Sequence, residues 1–385
     1  MARLKVLFVT SAYPSSDRRT QCSYVREHAR AVQMFDDVAV LHCAGFHREP
    51  GDTWRIEAET DPEITAGIPT YRVRYRRAAL RVTTAMFFLL SIKRAVSRLA
   101  SEGFLPDVLH ANFFHCGVPS VLAARQQRVP LVITEHLTHF SRRILSRADV
   151  WQVKFAFSRA DLVLPVSEEL QKHIQAYGVR ARFQVIPNPV DTTRFIIAPE
   201  DRHERGRILF VGRLTSNHIK GVPVLLDALA RLGRDDWRLD VIGDGAARAM
   251  YVQRVTEMGW QDRVTFHGAL SSADVASFMR RASFLVLPSK CENLPCVLLE
   301  ALCCGLPVVA TTVGAVPQLV DASRGLLCEP GCPDQLRHQI NRMLDEADHF
   351  DRAAIARWGR EHFSSAVVGE RLHRVYEQLL ASGGS

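Results

Sequence analysis

The stretch "CENLPCVLLEALCCGLPVVA", Cys291 to Ala310, holds two acids in an otherwise apolar run. They are Glu292 and Glu300, eight residues apart, with no lysine or arginine among them to neutralise either. The run before it, "SFLVLPS" at 283–289, reads as a strand. Apolar residues without alternation suit a strand covered on both faces. "CVLLEALCCG" reads as a helix, with Pro295 at its first turn and Gly305 at its end. Glu300 then lies roughly two turns into the helix. Glu292 sits at its mouth, beside the backbone N–H groups of Asn293, Leu294, Pro295 and Cys296, proline excepted, where the helix dipole favours an anion. A carboxylate can accept two hydrogen bonds from a sugar diol. The stretch thus offers one carboxylate for a diol, a helix start for an anion, and a second carboxylate for another diol. A nucleotide sugar presents sugar hydroxyls, diphosphate and ribose hydroxyls in that order. The bland alternative is a loop acid and a solvated helix acid, and on residue types alone both readings stand.

Outward from this stretch, short β-branched runs alternate with helical patterns. "KVLFVTSAY", "VAVLHC", "DVLHANFF", "PLVITEH", "LVLPVS" and "FQVIPN" read as strands of the first half. "RILFVGRL", "RLDVIGDG", "RVTFHGAL", "SFLVLPS" and "PVVATT" read as strands of the second. This alternation predicts an α/β fold of two doubly wound, Rossmann-like domains with parallel sheets, facing across a cleft. The polar segment 191–207 marks the break. The expected domains are 1–198 and 205–363, with a final amphipathic helix within 364–385. Ligands of such sheets bind beyond the carboxyl ends of the strands.

The chain has 385 residues, 47% hydrophobic and 23% charged, which suits two soluble domains. Its nine cysteines form no C-x₂-C pair, so neither a disulfide framework nor a zinc site is expected. No run spans a bilayer, and the first apolar run ends at a turn too early for a signal peptide. A cytoplasmic protein follows. The net charge of +8 lies wholly in residues 1–200, which hold 27 Lys and Arg against 19 Asp and Glu. Residues 64–101 alone hold Arg72, Arg74, Arg76, Arg77, Arg81, Lys93, Arg94 and Arg98, no acid, and the apolar block "AMFFLL". A basic amphipathic helix of this kind points to an anionic membrane surface, while a buried helix with a basic edge is the alternative.

Residues 284–318, "FLVLPSKCENLPCVLLEALCCGLPVVATTVGAVPQ", resemble the E-x₇-E signature of the retaining nucleotide-sugar glycosyltransferases of family 4, which have the GT-B fold. "PVS" at 165–167, "VIPNPVDTTRF" at 185–195, "FVGRL…KG" at 210–221, "VIGDG" at 241–245 and "HGAL" at 267–270 follow the family's order. The resemblance implies two domains, the first for an acceptor and the second for a nucleoside-diphosphate sugar. It gives Arg213 and Lys220 the leaving diphosphate, Glu292 the sugar and Glu300 the ribose. It sets Gly243 and Gly245 near the donor and the backbone from Gly268 to Leu270 against the base. His136, after "PLVIT", matches the family's active-site histidine, with an interface histidine as the alternative. The loop "SAYPSSDRRTQCSYV" carries Gln21 and Cys22 where the family has glycine at the meeting of donor phosphate and acceptor.

The expected reaction transfers the sugar with retention to a hydroxyl acceptor, in cell-surface polysaccharide or glycolipid assembly. A lipid-linked acceptor would be met at the cytoplasmic face of a membrane. No DxD motif or metal-spaced His/Asp cluster occurs, so no metal and no cofactor are expected; the nucleotide sugar is a substrate. No nucleic-acid partner is expected. A nucleotide-sugar epimerase, a phosphorylase, a small-molecule glycosyltransferase and an inactive binding scaffold remain as rivals. "GDGAAR" at 243–248 has Arg248 where a dinucleotide fingerprint needs its third glycine.

Overall fold

The computed structural model describes residues 3–16, 22–47, 54–76, 78–197 and 203–382. Gln21 and Arg77 lie outside them, as do residues 383–385 of the expected final segment. The chain forms two compact units, residues 1–189 with 365–385, and residues 190–364.

The first unit holds β1 (Lys5–Thr10), β2 (Asp37–His47), β3 (Trp54–Glu59), β4 (Thr70–Arg76), β5 (Val108–Asn112), β6 (Leu131–Glu135) and β7 (Leu162–Pro165). Their order is β3-β4-β2-β1-β5-β6-β7. Every pair is parallel except β3 with β4. The second unit holds β8 (Arg207–Val211), β9 (Arg238–Ile242), β10 (Val264–Gly268), β11 (Phe284–Leu287), β12 (Val308–Thr311) and β13 (Gly325–Cys328). They form a wholly parallel sheet in the order β10-β9-β8-β11-β12-β13. Both sheets are thus of the doubly wound kind that the alternation predicts.

Successive side chains of a strand point to opposite faces. In the first unit Phe8 and Val132 enter a core with the helices Ser23–Gln33 and Ser365–Ser382. Ile133, one residue on, meets the helix Gly117–Gln127 on the other face. The final helix joins the first unit because Gly369 lets it approach closely: a Cβ there would stand 2.2 Å from the Ala31 carbonyl oxygen.

Three expectations change. "FQVIPN" forms no strand; Phe183 makes only an isolated bridge to Val163, and Pro187 and Pro189 cannot donate to a ladder. The units divide at Pro189, ahead of the expected 198, because Val190 donates to the Phe363 carbonyl at 2.7 Å. The basic segment 64–101 is not one solvated surface. Arg72 is buried, donating to Glu59, to His42 Nδ1 at 3.0 Å and to the Pro14 carbonyl at 3.1 Å. Arg98 pairs with Glu102 at 2.7 Å. Within "AMFFLL" Met86 is exposed, whereas the four residues after it are half-buried.

Candidate functional site

In the second unit three strand ends are tied together by backbone bonds. Gly212 donates to the Ile242 carbonyl at 2.9 Å, and Gly243 donates to the Gly268 carbonyl at 2.8 Å. Gly243 has φ 136°, and a Cβ there would fall 2.0 Å from the Gly212 oxygen. Only glycine fits such a crossing. Gly245 is set likewise against the Leu214 oxygen, and Leu214 donates to Asp244 at 3.0 Å. The "GDG" turn is therefore sewn to the loop after β8, which carries Arg213. This packing explains two glycines without a third, and a dinucleotide fingerprint is not required. Arg213 is exposed, Gly268 has open space on its Cβ side, and Leu270 is half-buried.

The same loop runs on to Lys220 and presses against the end of β11. Ile219 accepts from Lys290 N–H at 2.8 Å. Gly221, with φ 72°, would drive a Cβ to 1.8 Å from the Pro288 oxygen. Lys220 Nζ donates to Glu292 Oε1 at 2.5 Å, and Ser289 Oγ donates to the same oxygen at 2.7 Å. Glu292 is 7% exposed and Ser289 fully buried. The cation that balances Glu292 thus stands seventy-two residues upstream. On its other side the loop is fixed by Thr311 Oγ1, donating to the Ser289 carbonyl at 2.6 Å, and by Ala315 N–H, donating to the Asn293 carbonyl at 2.9 Å.

The helix itself spans Cys296–Cys303, with Pro295 as an extended N-cap (ψ 115°). Glu300 is its fifth residue, a little over one turn in rather than two, and is half-exposed. Asn293, Leu294 and Pro295 are buried in the loop before it. The second unit therefore brings Lys220 and Glu292 into contact, with Asn293, Leu294 and Pro295 following in the same loop. Arg213 lies seven residues before Lys220, on the loop from β8.

In the first unit His136 follows β6 and is buried. Its Nε2 lies 3.2 Å from Asn112 Oδ1 at the end of β5. Its ring stands 4.6 Å from Tyr24 and 5.4 Å from His28 and Phe113, centroid to centroid. Burial, and then the neighbouring His28 and His110, hold its pKa well below the ordinary value. The neutral ring serves hydrogen bonding rather than charge. Glu135 beside it accepts from the N–H groups of Phe114, His136 and Leu137 at 2.8 to 2.9 Å. Burial nonetheless pushes its pKa up to about 7. His110 bonds Tyr376 Oη at 2.7 Å and Thr134 Oγ1 at 2.6 Å, and so tethers the final helix. Asn112, Tyr24 and His28 were not singled out from sequence. Asn112 alone carried a signal, as a polar residue closing an apolar strand.

Cys22 caps the helix Ser23–Gln33 with φ 49°, in the left-handed region. The residue thus takes the conformation that glycine adopts freely. A left-handed L-residue costs about 1–2 kcal/mol. Cys22→Gly is therefore expected to unfold at an unchanged or higher temperature, and β-branched Cys22→Val at a lower one, by thermal melts. Equal losses in both would show that the thiol's contact with Tyr24 Oη, at 3.3 Å, matters more than the backbone.

Comparison with known proteins gives the family and the fold. A family model described as Glycosyltransferase Family 4 matches residues 23–194, and one described as Glycosyl transferases group 1 matches residues 205–346. A D-inositol 3-phosphate glycosyltransferase of Xylanimonas cellulosilytica is 30% identical over 308 residues, 72% of this chain and 73% of its own. A Bacillus subtilis protein named as a glycosyltransferase of teichuronic acid biosynthesis is 27% identical over 366 residues, 89% of this chain and 90% of its own. The solved structure of Anabaena HepE in complex with UDP superposes with a TM-score of 0.77 at 21% identity, over 97% of this chain and 100% of that one. That likeness gives the fold, two Rossmann-like domains of the GT-B kind. With both halves matched and a relative at 30% identity covering most of each chain, the protein belongs to the family 4 glycosyltransferases.

Proposed function

We propose that the protein is a retaining glycosyltransferase acting on a nucleoside-diphosphate sugar and a hydroxyl acceptor in cell-surface polysaccharide or glycolipid assembly. The observation that carries this reading is the Lys220–Glu292–Ser289 cluster beyond the end of β11. A lysine held there supplies a point charge for a diphosphate, and exposed Arg213 supplies a fork of donors. Glu300 takes the ribose diol and Glu292 a hydroxyl of the sugar. The backbone from Gly268 to Leu270 faces the base. His136, kept neutral by burial, bonds a sugar hydroxyl.

The acceptor oxygen attacks the anomeric carbon on the face the diphosphate leaves. The carbon–oxygen bond to phosphate breaks as the new one forms, and the departing phosphate takes the acceptor proton. Two cations stabilise the charge that develops on the leaving group, so the step needs no metal and no cofactor. Support for a surface polymer comes from the teichuronic acid relative and from a Salmonella typhimurium lipopolysaccharide 1,6-galactosyltransferase, 31% identical over 190 residues. A lipid-borne acceptor would be met at the cytoplasmic face of a membrane. Among the described residues no helix is long and apolar enough to cross one.

The test separates the donor end from the sugar end. Glu300→Ala and Arg213→Ala are each expected to weaken binding of the nucleoside diphosphate about tenfold or more, by calorimetry, as a charge-assisted bond typically contributes about 1.5–3 kcal/mol. His136→Ala is expected to bind it normally and lose turnover, and activity is expected to survive EDTA. Unchanged nucleotide affinity in both donor-end variants, or loss of activity with EDTA and rescue by a divalent cation, would remove the reading.

A further inference from the structure

A cavity of about 940 Å³ opens in the first unit at the carboxyl edge of its sheet. Arg72, Arg74, Glu57, Glu59 and His42 line it, so its charges balance and its wall is polar. Two helices border it: Arg81–Ser101 contributes Phe88 and Arg147–Phe157 contributes Gln152. Each follows a parallel strand, β4 and β6, so both begin at the same edge of the sheet. Each exposes apolar side chains near its start. Leu80 is 71% exposed, Val82 81% and Met86 51% by the first helix; Ile144 is 48% and Trp151 60% exposed by the second. Arginines accompany them. Arg74 and Arg76 precede the first helix, and Arg142, Arg143 and Arg147 lead into the second, all exposed. None of these five has a carboxylate partner among the described residues. On the second helix, Asp149 accepts from Ser146 N–H at 2.9 Å in the helix's own cap.

We propose that this face is a docking surface for an anionic bilayer, with the polar cavity set between its two apolar and basic rims to receive an acceptor's head group. Paired rims are needed for the geometry, since one exposed stripe would tilt the unit rather than seat the cavity. Exposed aromatic and aliphatic residues flanked by arginine fit the boundary between head groups and acyl chains, and each arginine near an anionic surface adds attraction that salt screens. The polar wall excludes an acyl chain and suits a hydroxylated group. The second rim, around Ile144 and Trp151, carries as much of the proposal as the basic segment before it. The head-group assignment rests on the transferase reading; the docking does not.

The test is co-sedimentation of the full chain with phosphatidylcholine vesicles, with and without phosphatidylglycerol, at low and high salt. Binding is expected only to the anionic vesicles and to fall with salt. The triple variant Arg142→Glu, Arg143→Glu, Arg147→Glu is expected to lose at least about a hundredfold in partition, at about fivefold or more per arginine. Val82→Asp with Trp151→Asp is expected to lose binding as well, and Trp151→Phe to lose a vesicle-induced blue shift of tryptophan fluorescence. All of these side chains are exposed, so melting temperature and nucleoside-diphosphate affinity are expected to stay unchanged. No binding to anionic vesicles at low salt, equal binding to neutral ones, or binding to soluble dextran sulfate alone overturns the proposal. Vesicle binding with no binding of UDP, GDP, ADP or dTDP would instead leave the docking and remove the transferase reading.

Discussion

Lys220→Met is expected to lower the stability of the second unit by about 3 kcal/mol. Removing one partner of a buried pair leaves an uncompensated charge, which typically costs about 3–5 kcal/mol. The Lys220 side chain is 26% exposed, so the lower end applies, while the side chain of its partner Glu292 is 8% exposed and keeps Ser289 as a donor. Adding Glu292→Gln removes the stranded charge and keeps an acceptor for Ser289, so the double variant is expected to regain most of the loss. On the proposed reading, in which Lys220 faces the diphosphate, its affinity for the nucleoside diphosphate is expected to stay down about tenfold or more. Urea unfolding followed by Trp237, Trp260 and Trp358 reads the first effect, and calorimetry the second. A single variant as stable as the parent would show the pair to be worthless to the fold. A double variant that binds the nucleoside diphosphate normally would show that Lys220 serves only Glu292.

The first unit is expected to lose stability steeply in mild acid. Burial holds His28 down to about 4 and His110 down to about 3. His42 is likewise lowered to about 3, by burial and then by Arg72 and Arg74, and His136 is lowered well below its ordinary value. In the unfolded chain all four take up a proton near pH 6.5. Below that pH the unfolded state binds more protons than the folded one, so stability is intact above about 6.5 and falls as pH drops towards 4. Each histidine contributes a slope of about 1.4 kcal/mol per pH unit. Glu135 acts oppositely: raised to about 7, it keeps a proton in the fold that the unfolded chain releases above about 4.5. Between pH 6.5 and 4.5 the net is about three protons, or about 4 kcal/mol per pH unit. Denaturant midpoints measured across this window check the slope. His110→Gln keeps hydrogen bonding to Tyr376 and Thr134 and is expected to remove one histidine's share. An unchanged slope in that variant would mean that His110 is charged in the folded state.

Much of the architecture is legible in the sequence because it is local. Buried parallel strands are continuous apolar runs, and "VLHAN", "LVITE", "RILFV" and "FLVL" each appear in the structure where the run stands. The helix after Pro295 is legible for the same reason, since proline, an apolar eight-residue run and Gly305 mark both ends. "WRIEAE" and "TYRVRYR" were not read as strands, because charged residues interrupt the continuous apolar runs that marked the buried strands. Nor did spacing reveal that Arg72, one of eight cations in an acid-free segment, turns inward to Glu59 on the neighbouring strand. Family motifs pointed to Glu292 and Lys220 as separate residues.

Their contact was decided by tertiary structure alone. β8 and β11 are neighbours in the second sheet although two strands separate them in the chain. The loop leaving β8 therefore meets the loop leaving β11, with Gly221 set against Pro288, and Lys220 comes to Glu292. Residues 283–303 determine by themselves a strand, a turn that carries Glu292 and a helix that carries Glu300. The cation that lets one of those acids be buried is supplied by strand order, which no local pattern encodes.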